Sequence, residues 1–173
     1  AQDEAKIQLQ FNQSEINHGN KLLNKMGLNP EEGYVALILR NQNYLRDTYK
    51  GINYTHHSHR DTNIKFFENT IQYLTNNKNK VIIIGINKEE VISKNLLNNK
   101  YVTIYNESSF RSDFMDIFIL SKSKFVISSI TGLDSVPFIF KIPIIEVGVI
   151  PFVYQRTYSN LYISLFKNYF SKT

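Results

Sequence analysis

Cysteine is absent from the sequence, and no apolar run in it is long. The absence of cysteine excludes disulfide bonds and cysteine-based zinc sites. The longest apolar run, residues 81–86, has the length of a strand, whereas a membrane-spanning helix needs about 20 apolar residues. The first six residues are polar and lack the apolar segment of a signal peptide, so we expect none there.

Dense basic runs are also missing, although the chain is basic overall. The 20 Lys and Arg residues outnumber the 15 Asp and Glu residues, which gives a formal net charge of +5. The lysines are scattered singly, so we expect no nucleic-acid groove. A positive balance favours anionic ligands such as nucleotides, phosphorylated lipids or membrane surfaces, without choosing among them.

Strand-like and helix-like patterns alternate along the chain. Apolar runs of strand length occur at 34–39, 81–84, 101–105, 125–128 and 143–147. Helical patterns occur at 3–26, 62–76, 89–99, 108–122, 132–140 and 158–170, and residues 41–60 read as a loop. This alternation is typical of an α/β protein with a doubly wound, Rossmann-like parallel sheet, here of about five strands. We expect residues 1–173 to form a single domain.

Polar residues that directly follow the predicted strands are the candidates for a binding site, because ligands of such sheets bind outside the carboxyl ends of the strands. The segment after the fourth predicted strand contains hydroxyl residues and a glycine that lets the backbone approach a ligand: Ser129, Thr131, Gly132, Leu133, Asp134 and Ser135. The N–H groups that begin the next helix suit a phosphate. The same residue types also cap helices, so phosphate binding and plain capping both remain open.

Arginine at the end of the first predicted strand is the second signal. Arg40 and Asn41 follow a buried apolar run, which anchors the stem of Arg40 and leaves its head near the cleft. A guanidinium suits a diphosphate or a carboxylate, and a salt bridge at the sheet edge is the alternative. Gly85 ends the second predicted strand at the same edge of the sheet.

Three histidines, at positions 56, 57 and 59, precede Arg60. No helix or strand fixes their directions, so we expect no metal site there. His59 is a candidate catalytic residue because imidazole titrates near neutral pH, and Arg60 is expected to face the cleft. Asp116, in the first turns of its predicted helix, is the other catalytic candidate, although an acidic residue there also complements the helix dipole.

Four segments resemble, in order and spacing, a bacterial family of surface-polysaccharide glycosyltransferases. They are residues 33–41, 57–64, 111–118 and 125–140, the last followed by Pro143. The resemblance covers roughly residues 15 to 150. That family looks like the GT-B class, in which two Rossmann-like domains face each other across a cleft and the C-terminal domain holds the nucleotide-sugar.

The resemblance implies a nucleotide-sugar donor, a glycan or glycolipid acceptor, no bound metal and no other cofactor. It assigns Arg40 and residues 129–135 to the donor phosphates and Arg60 to the phosphates or the sugar. Ile84 stands where family members often carry an arginine, so one phosphate contact is missing. The implied location is cytoplasmic, with peripheral membrane contact as a further expectation.

A complete GT-B enzyme needs about twice this length, so the resemblance also implies that the acceptor domain lies outside this chain. Two other functions remain open. The first is a non-catalytic module that binds a nucleotide or a phosphorylated glycan. The second is an interaction domain without a ligand.

Overall fold

Six parallel strands form one sheet in the computed structural model, which describes residues 3–40, 60–86 and 92–168. The strands are β1 Tyr34–Ile38, β2 Lys80–Ile84, β3 Val102–Ile104, β4 Phe125–Ser128, β5 Ile144–Val149 and β6 Tyr162–Phe166. Every pair of neighbours is parallel. The predicted Rossmann-like parallel sheet is therefore confirmed, with one strand more than the five expected.

The strand order is β3-β2-β1-β4-β5-β6. The chain moves outward from β1 to β3 and then returns to the other side of β1 to form β4. The topological switch point therefore lies between β1 and β4. At such a point the connections leave the two strand ends in opposite directions, which opens a crevice at the carboxyl edge of the sheet.

Five α-helices are present in the described residues: α1 Gln13–Lys25, α2 Glu68–Asn76, α3 Lys94–Leu97, α4 Asp113–Lys122 and α5 Ser135–Phe140. Short 3-10 turns at Ile64–Phe67 and Gly132–Asp134 lead into α2 and α5. The first helix begins at Gln13 instead of Asp3 because Asn12 and Glu15 form a reciprocal capping box there. Ser112 caps α4, so this helix begins at Asp113 and not at residue 108 as predicted.

Helices cover the two faces of the sheet unequally. On one face, α1, α4 and α5 pack over the sheet, with Phe118 of α4 fully buried against Ala36 of β1 and Val126 of β4. On the other face, α2 and α3 pack over β1 and β2, with Ile71 of α2 fully buried against Ile83. All five residues of β1 are buried, because this strand is covered on both sides.

The closing helix predicted at 158–170 is wrong, because residues 162–166 form the edge strand β6. Tyr162 and Ser164 are half-buried, whereas Ile163 and Leu165 are exposed, which is the alternation of a strand covered on one face. Backbone pairing with β5 determines the structure of this segment. Among the described residues, we find no helix with the length and apolarity needed to cross a membrane.

Candidate functional site

The ends of β1 and β4 are tied together at the switch point. The backbone N–H of Arg40 donates to the Ser129 hydroxyl at 2.6 Å, and the Ser129 N–H donates to the Ile38 carbonyl at 3.0 Å. The Arg40 carbonyl in turn accepts from the N–H of Thr62 at 3.3 Å. Two predicted site positions, 40 and 129, are thus brought together at one corner of the sheet, and Arg60 lies two residues before Thr62 in the chain.

The Arg40 side chain forms an ion pair at this corner. Its Nε lies 3.9 Å from Oδ1 of Asp61, and the side chain is only 14% exposed. The salt bridge that the sequence left as the alternative for Arg40 is therefore present. Because Asp61 also lines the neighbouring cleft, the pair forms part of that cleft's rim.

A cleft of about 460 Å³ opens beside the switch point, on the α2 face of the sheet, between α2 with the turn before it and strands β4, β5 and β6. This volume is within the usual range for small-molecule sites. The polar lining residues are Arg60, Asp61, Thr62, Thr70, Ser129 and Lys167. The remaining lining is Phe66, Phe67, Ile127, Ile145, Val147, Gly148 and Leu165. An apolar floor with a cationic rim therefore characterises the cleft.

The loop after β4 is stabilised by its own hydrogen bonds. Asp134 is fully buried, and its Oδ1 accepts from the Ser128 hydroxyl at 2.6 Å. Its Oδ2 accepts from the Thr131 N–H at 3.0 Å, while the Thr131 hydroxyl accepts from the Leu133 N–H at 3.2 Å. Burial raises the pKa of Asp134, against these hydrogen bonds. The capping alternative therefore describes what Thr131 and Asp134 do in this structure.

The other predicted members of this loop differ in exposure. Leu133 packs against the hydrophobic core beside α5. Gly132 and Ser135 are exposed to solvent. A Cβ added at Gly132 would meet nothing within 4 Å, so the fold itself does not require glycine at this position.

Gly85 has a structural function at the same edge of the sheet. Its φ is +90°, and its N–H donates to Oδ1 of Asn106 at 2.6 Å. A Cβ at Gly85 would collide with the backbone carbonyl oxygen of Leu39. Glycine is needed here because the ends of β1 and β2 approach closely and because this backbone conformation is left-handed.

The described residues include one of the two catalytic candidates, Asp116, and it does not lie at the cleft. His59 and Asn41 lie outside those residues. Asp116 lies on α4, on the opposite face of the sheet, and is absent from the cleft lining. Burial raises the pKa of Asp116, and a hydrogen bond with Tyr105 partly offsets this effect. Nor do His, Asp and Glu side chains of the described segments form any group of three that could hold a metal ion.

A buried polar network on the face opposite the cleft was not predicted. Glu146 of β5 is 1% exposed and accepts from the Ser164 hydroxyl at 3.0 Å. Nη1 of Arg156 lies 3.6 Å from Oε1 of Glu146 and donates to the Asp134 carbonyl at 3.3 Å. Burial raises the pKa of Glu146, and the charge of Arg156 opposes that shift.

Lys167 was also missed, because the incorrect helix prediction covered it. The alternating pattern Tyr162-Ile-Ser-Leu-Phe166, rich in aromatic and β-branched residues, was the available signal for a strand that places Lys167 at the carboxyl edge. No protein-family model, curated protein or solved structure matches the chain. Inference about the cleft therefore depends on its own geometry and on the four-segment resemblance.

Proposed function

We propose that this cleft binds the phosphates of a nucleotide-sugar, and that the chain is the donor-binding domain of a glycosyltransferase in surface-polysaccharide synthesis. The observation that carries the proposal is the cationic rim at the carboxyl edge, beside the switch point between β1 and β4. Parallel α/β sheets bind their ligands at this location. The resemblance of the sequence to polysaccharide glycosyltransferases supplies the substrate class.

The charge balance of the cleft suits a diphosphate. Among the described residues, Arg60 and Lys167 line the cleft, and Arg40 lies at its rim beside the carboxylate of Asp61. The described part of the cleft therefore contains three cationic groups and one carboxylate around a partly enclosed space. Low-dielectric walls strengthen the attraction of such groups for an anion.

The apolar floor suits the uncharged part of the same ligand. Ile127, Ile145 and Val147 form a flat surface of sheet side chains, and Phe66 beside it is 80% exposed. An exposed aromatic ring next to an apolar floor offers a stacking surface for a nucleobase. Phosphates at the rim and a base over the floor would occupy both parts of the cleft.

In the proposed reaction, an acceptor hydroxyl oxygen attacks the anomeric carbon as the bond from that carbon to the phosphate oxygen breaks. The departing phosphate gains negative charge, which Arg60 and Lys167 would stabilise without a metal. The proton of the acceptor hydroxyl has to pass to a base. In the described lining the only carboxylate is Asp61, and it is paired with Arg40.

That scarcity of bases favours a second candidate function, a non-catalytic module that binds a nucleotide or a phosphorylated glycan. Turnover separates the two functions. Because the proposal places the acceptor domain outside this chain, the full-length protein is incubated with a panel of sugar nucleotides, with and without glycan acceptors, and free nucleoside diphosphate is measured. Release of nucleotide supports the transferase, whereas binding without release supports the binding module.

Arg60→Ala tests the site itself, with Lys65→Ala as the matched control. Lys65 is exposed, lies outside the cleft lining and carries the same charge. Calorimetric titration with nucleoside diphosphates should show affinity reduced roughly ten- to a hundredfold in Arg60→Ala, since a charge-assisted hydrogen bond contributes about 1.5–3 kcal/mol. Lys65→Ala should bind as the wild type does. Equal affinities for all three proteins would rule out the site.

A further inference from the structure

The outer edge of β6 carries exposed apolar side chains. In the described part of the chain, β6 has a neighbouring strand on one side only. Ile163 is 58% exposed, Leu165 52% and Phe166 38%. Phe152, whose ring lies 4.8 Å from that of Phe166, is exposed as well. This edge therefore differs from the surface that a soluble monomer ordinarily presents.

Edge strands are usually protected by shortness, by charged residues or by proline. The opposite edge of the sheet follows this rule, because β3 has three residues, all half-buried. β6 has five residues, Tyr162–Phe166, without charge or proline. An unprotected strand of this kind pairs readily with another strand, and pairing would cover its apolar side chains.

The hydrogen bonds between β5 and β6 show which residues of β6 direct their backbone N–H and C=O groups away from β5. The Leu161 carbonyl accepts from the Ile144 N–H of β5 at 2.8 Å. The Lys167 N–H donates to the Val149 carbonyl of β5 at 3.3 Å. Odd-numbered residues therefore pair with β5. Since successive residues of a strand direct their N–H and C=O groups to opposite edges, the even-numbered residues of β6 direct theirs outward.

We propose that a second copy of this chain pairs antiparallel with β6, about a two-fold axis at Ser164. In this register Ser164 faces its own counterpart and Tyr162 faces the counterpart of Phe166. The backbone N–H and C=O groups of these three residues point away from β5. Each residue can therefore exchange backbone hydrogen bonds with the residue that faces it across the axis. Ile163 then lies opposite the counterpart of Leu165, and the exposed apolar side chains cover each other.

Self-complementarity is the reason for choosing a second copy as the partner. Every cross-strand pair in this register is apolar except the central serine pair, and no like charges meet. A shift of the axis to Leu165 would set Ile163 against Lys167. An isologous contact of this kind closes on itself and gives a dimer instead of a filament.

The exposed area is sufficient for a dimer. Five large side chains that belong to β6, or whose rings contact an aromatic ring of β6, are more than a third exposed. They are Phe152, Tyr158, Ile163, Leu165 and Phe166. Each exposes roughly 100 Å², given about 150–250 Å² for a whole aromatic side chain. Two copies can therefore bury on the order of 1,000 Å², the lower size of a specific interface.

Sedimentation velocity over a range of protein concentrations tests whether the dimer forms. Substitutions that introduce charged side chains at positions 163 and 165 test its register. Ile163→Lys and Leu165→Glu should each raise the dimer Kd roughly tenfold or more, because each change places an unpaired charge in two symmetric apolar pairs. The double variant I163K/L165E sets lysine against glutamate across the axis and should recover much of the affinity. The double variant I163K/L165K should stay monomeric.

Tyr73→Lys is the control, because Tyr73 of α2 is 69% exposed and lies outside both β6 and the cleft lining. It should leave the dimer Kd unchanged, and circular dichroism should show that all variants are folded. A wild-type chain that stays monomeric at every concentration overturns the proposal. So does a dimer that is insensitive to the single charges, or one that I163K/L165K restores as well as I163K/L165E does.

Discussion

The two halves of the sheet differ in how they are covered. In the β1–β3 half, helices pack on both faces, and Ile83 of β2 is completely buried beneath α2. In the β4–β6 half, α5 covers one face, and on the other face Ile163 and Leu165 of β6 are about half exposed. In the described residues, the cleft, and with it the candidate site, therefore lies at the edge of the helix layer that covers the β1–β3 half.

The halves also differ in what their strands bury. β1 and β2 bury only apolar side chains between the layers. In the other half, Ser128, Glu146 and Ser164 stand in register across β4, β5 and β6. Arg156, in the loop before β6, forms an ion pair with Glu146 of this row. Polar side chains thus fix the arrangement of the half that contains the cleft.

Ile83→Ala and Ile163→Ala compare the same substitution in the two halves, on the same face of the sheet. Ile83→Ala should lower the free energy of unfolding by about 2–5 kcal/mol, because it leaves a cavity under α2. Ile163→Ala should change it by less than about 0.5 kcal/mol in dilute protein, because this side chain is already in water. Urea denaturation measures both. Similar losses would mean that the β4–β6 half is covered as well.

Arg156→Ala should give the next largest loss, about 2–4 kcal/mol. Removing the cation leaves Glu146 and Asp134 buried without it, and breaking a fully buried pair costs about 3–5 kcal/mol. We expect a smaller loss because the Arg156 side chain is 21% exposed, so that solvent weakens its interaction with Glu146. Chemical denaturation at pH 7 measures the loss. A loss below about 1 kcal/mol would contradict a stabilising role for this network.

The same variant should have a distinct pH dependence. Burial raises the pKa of Glu146 and Asp134 above their ordinary values of 4.5 and 3.8. The protonated carboxyl groups therefore favour folding, and this stability is lost as pH rises through the raised pKa values. As pH rises above these ordinary values, Arg156→Ala should lose more stability than the wild type. In the double variant E146Q/R156A, one of the two carboxylates is gone and the slope should be smaller.

Much of the fold could be predicted from the sequence, because strands buried on both faces appear as continuous apolar runs. The runs for β1 and β2 are of this kind. β6 is covered on one face only, so its pattern is short and its structure depends on pairing with β5. No local pattern links Arg156 to Glu146, because tertiary structure brings them together. Of the cationic rim, Arg60 was predicted and Lys167 was not.

Gly85→Ala and Gly132→Ala compare the two glycines that the sequence proposed for ligand contact. Gly85→Ala should lower the free energy of unfolding by about 1–3 kcal/mol, because the backbone at φ +90° is strained for alanine and the Cβ meets the Leu39 carbonyl. Gly132→Ala has open space around its Cβ and should stay close to wild type. Thermal unfolding of the two variants measures the difference, and equal losses would contradict it.

Thr131→Ala should give a smaller loss than Gly85→Ala, about 0.5–2 kcal/mol. The Thr131 hydroxyl caps the Leu133 N–H and donates to Asp134 at 3.4 Å, so its removal weakens the loop that precedes α5. Thr131→Ser keeps the hydroxyl and should retain most of the stability. Calorimetric titration of a nucleoside diphosphate into both variants then separates capping from phosphate contact. If Thr131→Ala loses stability and keeps its affinity, the hydroxyl serves the loop alone. A loss of affinity without a loss of stability would assign the hydroxyl to the ligand.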